Sequence, residues 1–145
     1  MASETPGPRM RRDDAVALLR NHGITPTARR VDIAVVLLAR AQHVCAEDVH
    51  RMLFRCGTPV SRATVYNTLG LFARHGIVRE LVVDSDRVLY DSNPASHDHI
   101  YDVDTGVLTD IEPGSVVVDA LPSLPSGTRV ERVDVVIRVG RSRSA

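Results

Sequence analysis

His97 and His99 stand two residues apart in the stretch SHDHIYDVDTG, residues 96–106. Side chains two apart on an extended strand project to one face, so the two imidazoles would lie side by side. The turn sequence Asp104-Thr105-Gly106 separates two short strand-like stretches, 99–103 and 107–111. Pairing Val103 with Gly106 puts Asp110 opposite His99, and cross-strand partners share a face. Two imidazoles and a carboxylate would then converge, a mixed nitrogen and oxygen set that suits Fe(II), Mn(II) or Zn(II). A bulge at Gly106 would shift that register. By residue pattern alone a metal site and an ordinary strand carrying imidazoles are evenly matched. Asp98, Asp102 and Asp104 read as solvated turn and outer-face residues.

The elements that must position these residues begin with four helices. Asp13–Gly23 has an acidic start, helically spaced apolar residues and a closing glycine. A second helix is expected from Thr25 as cap and Pro26 in the first turn, with Val31, Ile33, Val35, Leu37 and Leu38 as a broad apolar stripe. A third runs from Ala46 to about Cys56, and Gly57-Thr58-Pro59 breaks it. Ser61 can cap a fourth, which runs to Gly76 with Val65, Leu69 and Phe72 inward. Its other face carries Ala63, Tyr66, Asn67, Gly70 and Arg74. A helix, a tight turn and a second helix with Arg62, Tyr66 and Asn67 exposed fit a helix-turn-helix reader of DNA. Arg62 suits guanine or phosphate, Asn67 suits adenine, and Tyr66 offers a ring edge or a hydroxyl. Thr64 and Arg29 complete the expected contacts, and the strands 77–84 and 87–92 form a wing from which Arg87 meets phosphate. An ordinary amphipathic helix and a plain hairpin are the competing readings.

The net charge is zero, but it is unevenly spread. Residues 1–83 carry 12 Arg against 7 acidic side chains, and residues 84–145 carry 6 against 11; no basic residue is Lys. A basic half beside an acidic half suggests a polyanion-binding module next to one with another task. No apolar run approaches the ~20 residues of a membrane span, and the first residues lack the apolar core of a signal peptide, so a cytoplasmic protein is expected. On one helix Cys45 and Cys56 would lie about 16 Å apart at ~1.5 Å per residue. That is too far for a disulfide, and both are expected to be buried free thiols. The Pro-containing break Ser92–Ser96 reads as a hinge. Beyond the hairpin come a short helix, about Ser115–Leu121, and a strand from Arg129 to Val139. The expected architecture is α+β: a winged helix-turn-helix domain over 1–92 (1–12 a flexible lead-in), then a small α/β dimerisation domain over 93–145.

The stretches PTARR (26–30), QHVCAEDVH (42–50) and SRATVYNTLGLFARHGIVREL (61–81) resemble the ferric uptake regulator superfamily of bacterial transcription factors. The resemblance implies a homodimer that binds palindromic operators on double-stranded DNA. It also implies a regulatory metal site at His43, Asp91, His97, His99 and Asp110, all present here. His43 alone would pass as a helix-start residue and Asp91 as a strand-end carboxylate. Fe(II) or Mn(II) is the expected ion, with Zn(II) able to enter the same site. Metal held by all five would lock the two halves at one angle and so fix how both recognition helices meet DNA. Two departures stand out. No cysteine follows Cys56, so no structural zinc is expected, and Ser96 replaces a further histidine, which leaves an adjoining site incomplete. ATVYNTL, DSN and DALPSLPSG with VDVVIRV most resemble the iron response regulators. The all-Asp carboxylates and the five-ligand set resemble the peroxide regulators, which would make His43 and His97 the peroxide-oxidisable residues. The implied activity is metal-dependent repression of iron or peroxide-stress genes. The alternatives are a haem-responsive regulator that needs no metal co-repressor, a dimer whose metal site has decayed, and a small metalloenzyme.

Overall fold

The computed structural model describes residues 9–93, 95 and 97–143. The chain divides into two compact units, Met1–Pro94 and Ala95–Ala145. Residues 1–8 of the expected lead-in, and Pro94 and Ser96 of the expected hinge, lie outside the described residues. Among the described residues no helix is long and apolar enough to cross a membrane.

Four helices and a three-stranded sheet make the first unit. α1 is Arg12–Asn21, with Asp13 and Asp14 in its first turn and Arg20 in its last, the arrangement the helix dipole favours. It therefore starts inside the expected lead-in. α2 is Ala28–Leu37, capped by Thr27 rather than by Thr25. The Thr27 hydroxyl accepts from Arg30 N–H, while the backbone carbonyl of Thr25 accepts from the Arg30 guanidinium at 2.9 Å. Pro26, with its φ already fixed, serves in the extended approach instead of the first turn.

α3 is Ala46–Arg55. Asp48 reaches back to its start, where its carboxylate accepts from Cys45 N at 3.0 Å and from the Cys45 thiol at 3.1 Å. Gly57, with φ of 71°, turns the chain out of this helix. α4 is Arg62–Arg74, and Ser61 caps it by accepting from Thr64 N. Val65, Leu69 and Phe72 are fully buried, as their spacing predicts, against Leu19, Ile33, Leu37, Val49 and Leu53. β2 (Arg79–Asp84) and β3 (Arg87–Asp91) form the expected wing, and β1 (His43–Val44) adds to the free side of β3.

The second unit is a sheet of order β5-β4-β6, built from β4 (His99–Asp102), β5 (Leu108–Asp110) and β6 (Val136–Val139). β4 and β5 are antiparallel; β4 and β6 are parallel. Two expectations fail here. Residues 115–121 form no helix. Three consecutive valines, Val116 to Val118, are poor helix formers, and Pro122 disfavours helical geometry at Leu121. Val117 is 80% exposed, so no apolar face is buried to compensate. The strand expected from Arg129 to Val139 narrows to β6, because β4 offers ladder partners only from His99 opposite Val136 to Asp102 opposite Val139.

Candidate metal centre and DNA-facing surface

β1 is only two residues long, yet it builds the histidine–carboxylate pair of the first unit. It pairs with β3 so that His43 lies opposite Asp91, and His43 Nε2 comes within 3.1 Å of Asp91 Oδ2. Asp91 is almost fully buried, and its other oxygen accepts from Asn93 N at 2.8 Å. Ser92 clamps the register: its hydroxyl accepts from Gln42 N at 2.9 Å and donates to the Arg40 carbonyl at 3.1 Å. Neither β1 nor this clamp could be read from residue pattern, because each joins positions about fifty apart in the chain.

The second unit supplies a separate cluster. β4 and β5 pair in the register expected from the turn, with His99 opposite Asp110 and Tyr101 opposite Leu108. His97, just before β4, completes the group, and the candidate ligand atoms of His97, His99 and Asp110 lie within 4.8 Å of one another. Asp110 Oδ1 is 3.1 Å from His97 Nε2 and 3.2 Å from His99 Nε2. Two ligands at right angles around an ion, each at about 2.0–2.2 Å, are themselves about 3 Å apart, so these spacings match a coordination sphere as well as a hydrogen bond.

His97 bears on those two readings. Its Nδ1 donates to the Ala95 carbonyl at 2.6 Å, which in a neutral ring leaves only a lone pair on Nε2. A lone pair facing a carboxylate oxygen repels it. The contact is satisfied when a proton or a cation lies between the two atoms, and a cation there would be shared with His99. Fixing the ring through Nδ1 and a backbone carbonyl is also the usual way a ligand histidine is oriented. His97 and His99 are both buried, and their rings tilt at 56° with centroids 4.5 Å apart. Within the second unit, two imidazoles and a carboxylate form a donor set that fits Fe(II), Mn(II) or Zn(II), and the first unit holds an imidazole and a carboxylate of the same kind.

The residues expected at DNA fall on the outer side of α4 and on its neighbours. Tyr66 and Asn67 are exposed on α4, and Arg62 stands at its start. Thr64 is half-buried and accepts a hydrogen bond from the Ser61 hydroxyl. Arg29 is held near the turn before α4, donating to the Pro59 carbonyl at 3.4 Å and lying 3.9 Å from Asp32. Arg29, Thr64 and Asn67 share a cleft of about 300 Å³ between α2 and α4. Tyr66 and Arg87 line another of about 320 Å³ together with Glu47. Glu47 was not among the expected contacts, yet its carboxylate meets Arg62. Cys45 and Cys56 are free, but Cys56 is exposed rather than buried, since α3 ends at Arg55 and leaves it at the C-cap.

A winged helix-turn-helix unit followed by a small strand unit that carries a histidine and carboxylate cluster is the architecture of the chain. The profile of the Ferric uptake regulator family matches residues 21–122, and the chain belongs to that family. The peroxide-responsive repressor PerR of Staphylococcus saprophyticus is 31% identical over 98 residues, spanning 68% of this chain and 66% of its own. The ferric uptake regulation protein of Synechococcus elongatus is 37% identical over 86 residues, 57% of this chain and 58% of its own. The matches thus span 58% to 66% of the length of these two relatives. The ferric uptake regulator of Pseudomonas aeruginosa, solved with manganese, aligns over 89% of this chain and 98% of that one, with 25% identity and a TM-score of 0.68.

Proposed function

We propose that this chain is a metal-responsive transcriptional repressor of iron-homeostasis or peroxide-stress genes, working in the cytoplasm as a homodimer on double-stranded operator DNA. The observation that carries the metal reading is His97: with Nδ1 committed to Ala95, its Nε2 faces the oxygen of Asp110 that His99 also approaches. The proposed ligands are His43 and Asp91 from the first unit and His97, His99 and Asp110 from the second. A bound divalent ion supplies positive charge among these donors and, as Fe(II), a reductant for peroxide beside the oxidisable imidazoles of His43 and His97. The chain's own part is to bind it from two units at once. Ligands drawn from both make one orientation of the units favourable, and metal shifts the population towards that orientation by its differential affinity. In a dimer the orientation decides whether both α4 helices meet successive major grooves, where Arg62, Thr64, Tyr66, Asn67, Arg29 and Arg87 would contact DNA. Support for a dimer comes from the second unit, which leaves Val117, Val118, Leu121, Leu124 and Ile137 substantially exposed.

The test is binding of chelator-stripped protein to DNA from its own upstream region, with and without Mn(II), at fixed salt. Tight binding that requires metal and is lost in His97→Ala is the expected result. Equal binding by the stripped protein would remove the metal as co-repressor and leave the haem-responsive reading. Turnover of a substrate by the metal-loaded protein would instead point to an enzyme.

A further inference from the structure

Glu47 and Arg62 carry an inference that rests on the DNA-binding reading and goes beyond it. Arg62 opens α4 and Glu47 lies in the first turn of α3; Arg62 Nε is 3.3 Å from Glu47 Oε1. Both side chains stay well exposed, at 68% and 44%, and exposed ion pairs add little to stability. An acid in the first turn of α3 suits the helix dipole, but that would be true of any carboxylate there and does not require Arg62. Near a DNA-facing surface a carboxylate also carries a cost, because it repels phosphate. Glu47 nevertheless lines the same cleft as Tyr66 and Arg87, two of the residues assigned to DNA.

The geometry of the pair offers a use for it. A guanidinium has five N–H donors in a rigid fork, and the Glu47 carboxylate pairs by charge with its Nε side at 3.3 Å. The terminal Nη groups can then make the paired hydrogen bonds by which arginine reads O6 and N7 of guanine. An unrestrained arginine would have to be ordered on binding and could settle equally on a phosphate; a neighbouring carboxylate biases it towards one direction without fixing it. We infer that Glu47 is a positioning residue that aims Arg62 at a guanine in the operator, and so sets sequence specificity at the expense of general affinity for DNA.

The full-length, Mn(II)-loaded protein provides the test. Operator sequences are first selected from random duplex DNA with the wild type. Dissociation constants for wild type, Glu47→Gln, Arg62→Ala and the double variant are then measured over a salt series. The duplexes are the selected operator, the operator with its candidate guanine replaced, and unrelated DNA. Glu47→Gln should bind unrelated DNA as tightly as the wild type or more tightly. Its discrimination against the replaced guanine should fall by about two- to fivefold, the scale on which an exposed ion pair acts, while Arg62→Ala should lose about tenfold or more. The salt dependence on the operator should not change, and adding Glu47→Gln to Arg62→Ala should cost no further discrimination. Discrimination retained in Glu47→Gln, or affinity raised equally on every duplex with a salt slope steeper by about one, would overturn the inference. The second result would mean that Arg62 binds phosphate and Glu47 merely screens it. If the wild type selects no sequence at all, the DNA-binding reading itself fails, which is a different outcome.

Discussion

Replacing Asp110 with Asn perturbs the candidate centre with little change in shape. Asp110 is half-exposed and stands at the end of β5, so an isosteric amide leaves the sheet and its burial intact. It does remove the charge on the one oxygen that lies within 3.2 Å of both His97 Nε2 and His99 Nε2. A ligand that binds only the folded chain at about 100 times its dissociation constant stabilises it by about 2.7 kcal/mol. At about 2–4 °C per kcal/mol for a chain near this size, Mn(II) should raise the melting temperature of the wild type by about 5–11 °C. Groups that only orient metal ligands are worth about 10–100-fold in affinity, and a ligand itself is worth no less. At the same free Mn(II), a loss of that size leaves about 0.4–1.4 kcal/mol, a shift of about 1–6 °C. Differential scanning calorimetry on stripped and loaded protein measures both. The metal-free melting temperature should be nearly the same for the two proteins, which separates lost coordination from lost folding. An undiminished Mn(II) shift in Asp110→Asn would refute the assignment of Asp110 as a ligand.

His43→Ala should leave His97, His99 and Asp110 able to bind Mn(II) weakly in calorimetric titration, while operator affinity in a mobility-shift assay no longer responds to metal. Leu69→Ala removes a fully buried side chain from α4 and should cost about 2–5 kcal/mol, read from the midpoint of urea unfolding. The Cys45 thiol is pushed above its ordinary value of 9.0, first by burial and then by its hydrogen bond to Asp48. Alkylation near pH 8 followed by mass spectrometry should therefore modify exposed Cys56 well before Cys45. Because the fold favours the neutral thiol, its contribution to stability is complete below about pH 9 and is lost as pH rises further.

The helices were legible because burial imposes a period. Val65, Leu69 and Phe72 recur at helical spacing and are all fully buried. The pairing of His99 with Asp110 was legible for a related reason: a short turn fixes register, and register fixes which side chains share a face. His43 and Asp91 are different. They meet because two residues of β1 add to a wing strand 48 positions later, and no local pattern announces a two-residue strand. Only the family resemblance drew attention to them. Glu47 escaped notice because an acid in a first helical turn is unremarkable until its neighbour in space is known. The stretch after β5 misled the sequence reading because it is rich in apolar residues that do not find an interior within the described residues.

That mismatch bears on how the chain could act as a switch. In the first unit, Leu19, Ile33, Leu37, Leu53, Leu69 and Phe72 pack into one fully buried core. In the second, Tyr101 and Leu108 are the buried apolar side chains among the described residues, joined by His97 and His99. A three-stranded sheet with so little apolar burial is only marginally stable by itself. The energy that a single ion contributes, about 2.7 kcal/mol under the conditions above, weighs more in a unit with so few buried apolar side chains than in the first core. On the proposed function, buried imidazoles in place of aliphatic side chains would make the metal-binding unit the weaker one and leave the helical unit's core intact. A regulator needs that asymmetry, because a signal worth a few kcal/mol can redirect only an element whose alternatives lie within that range.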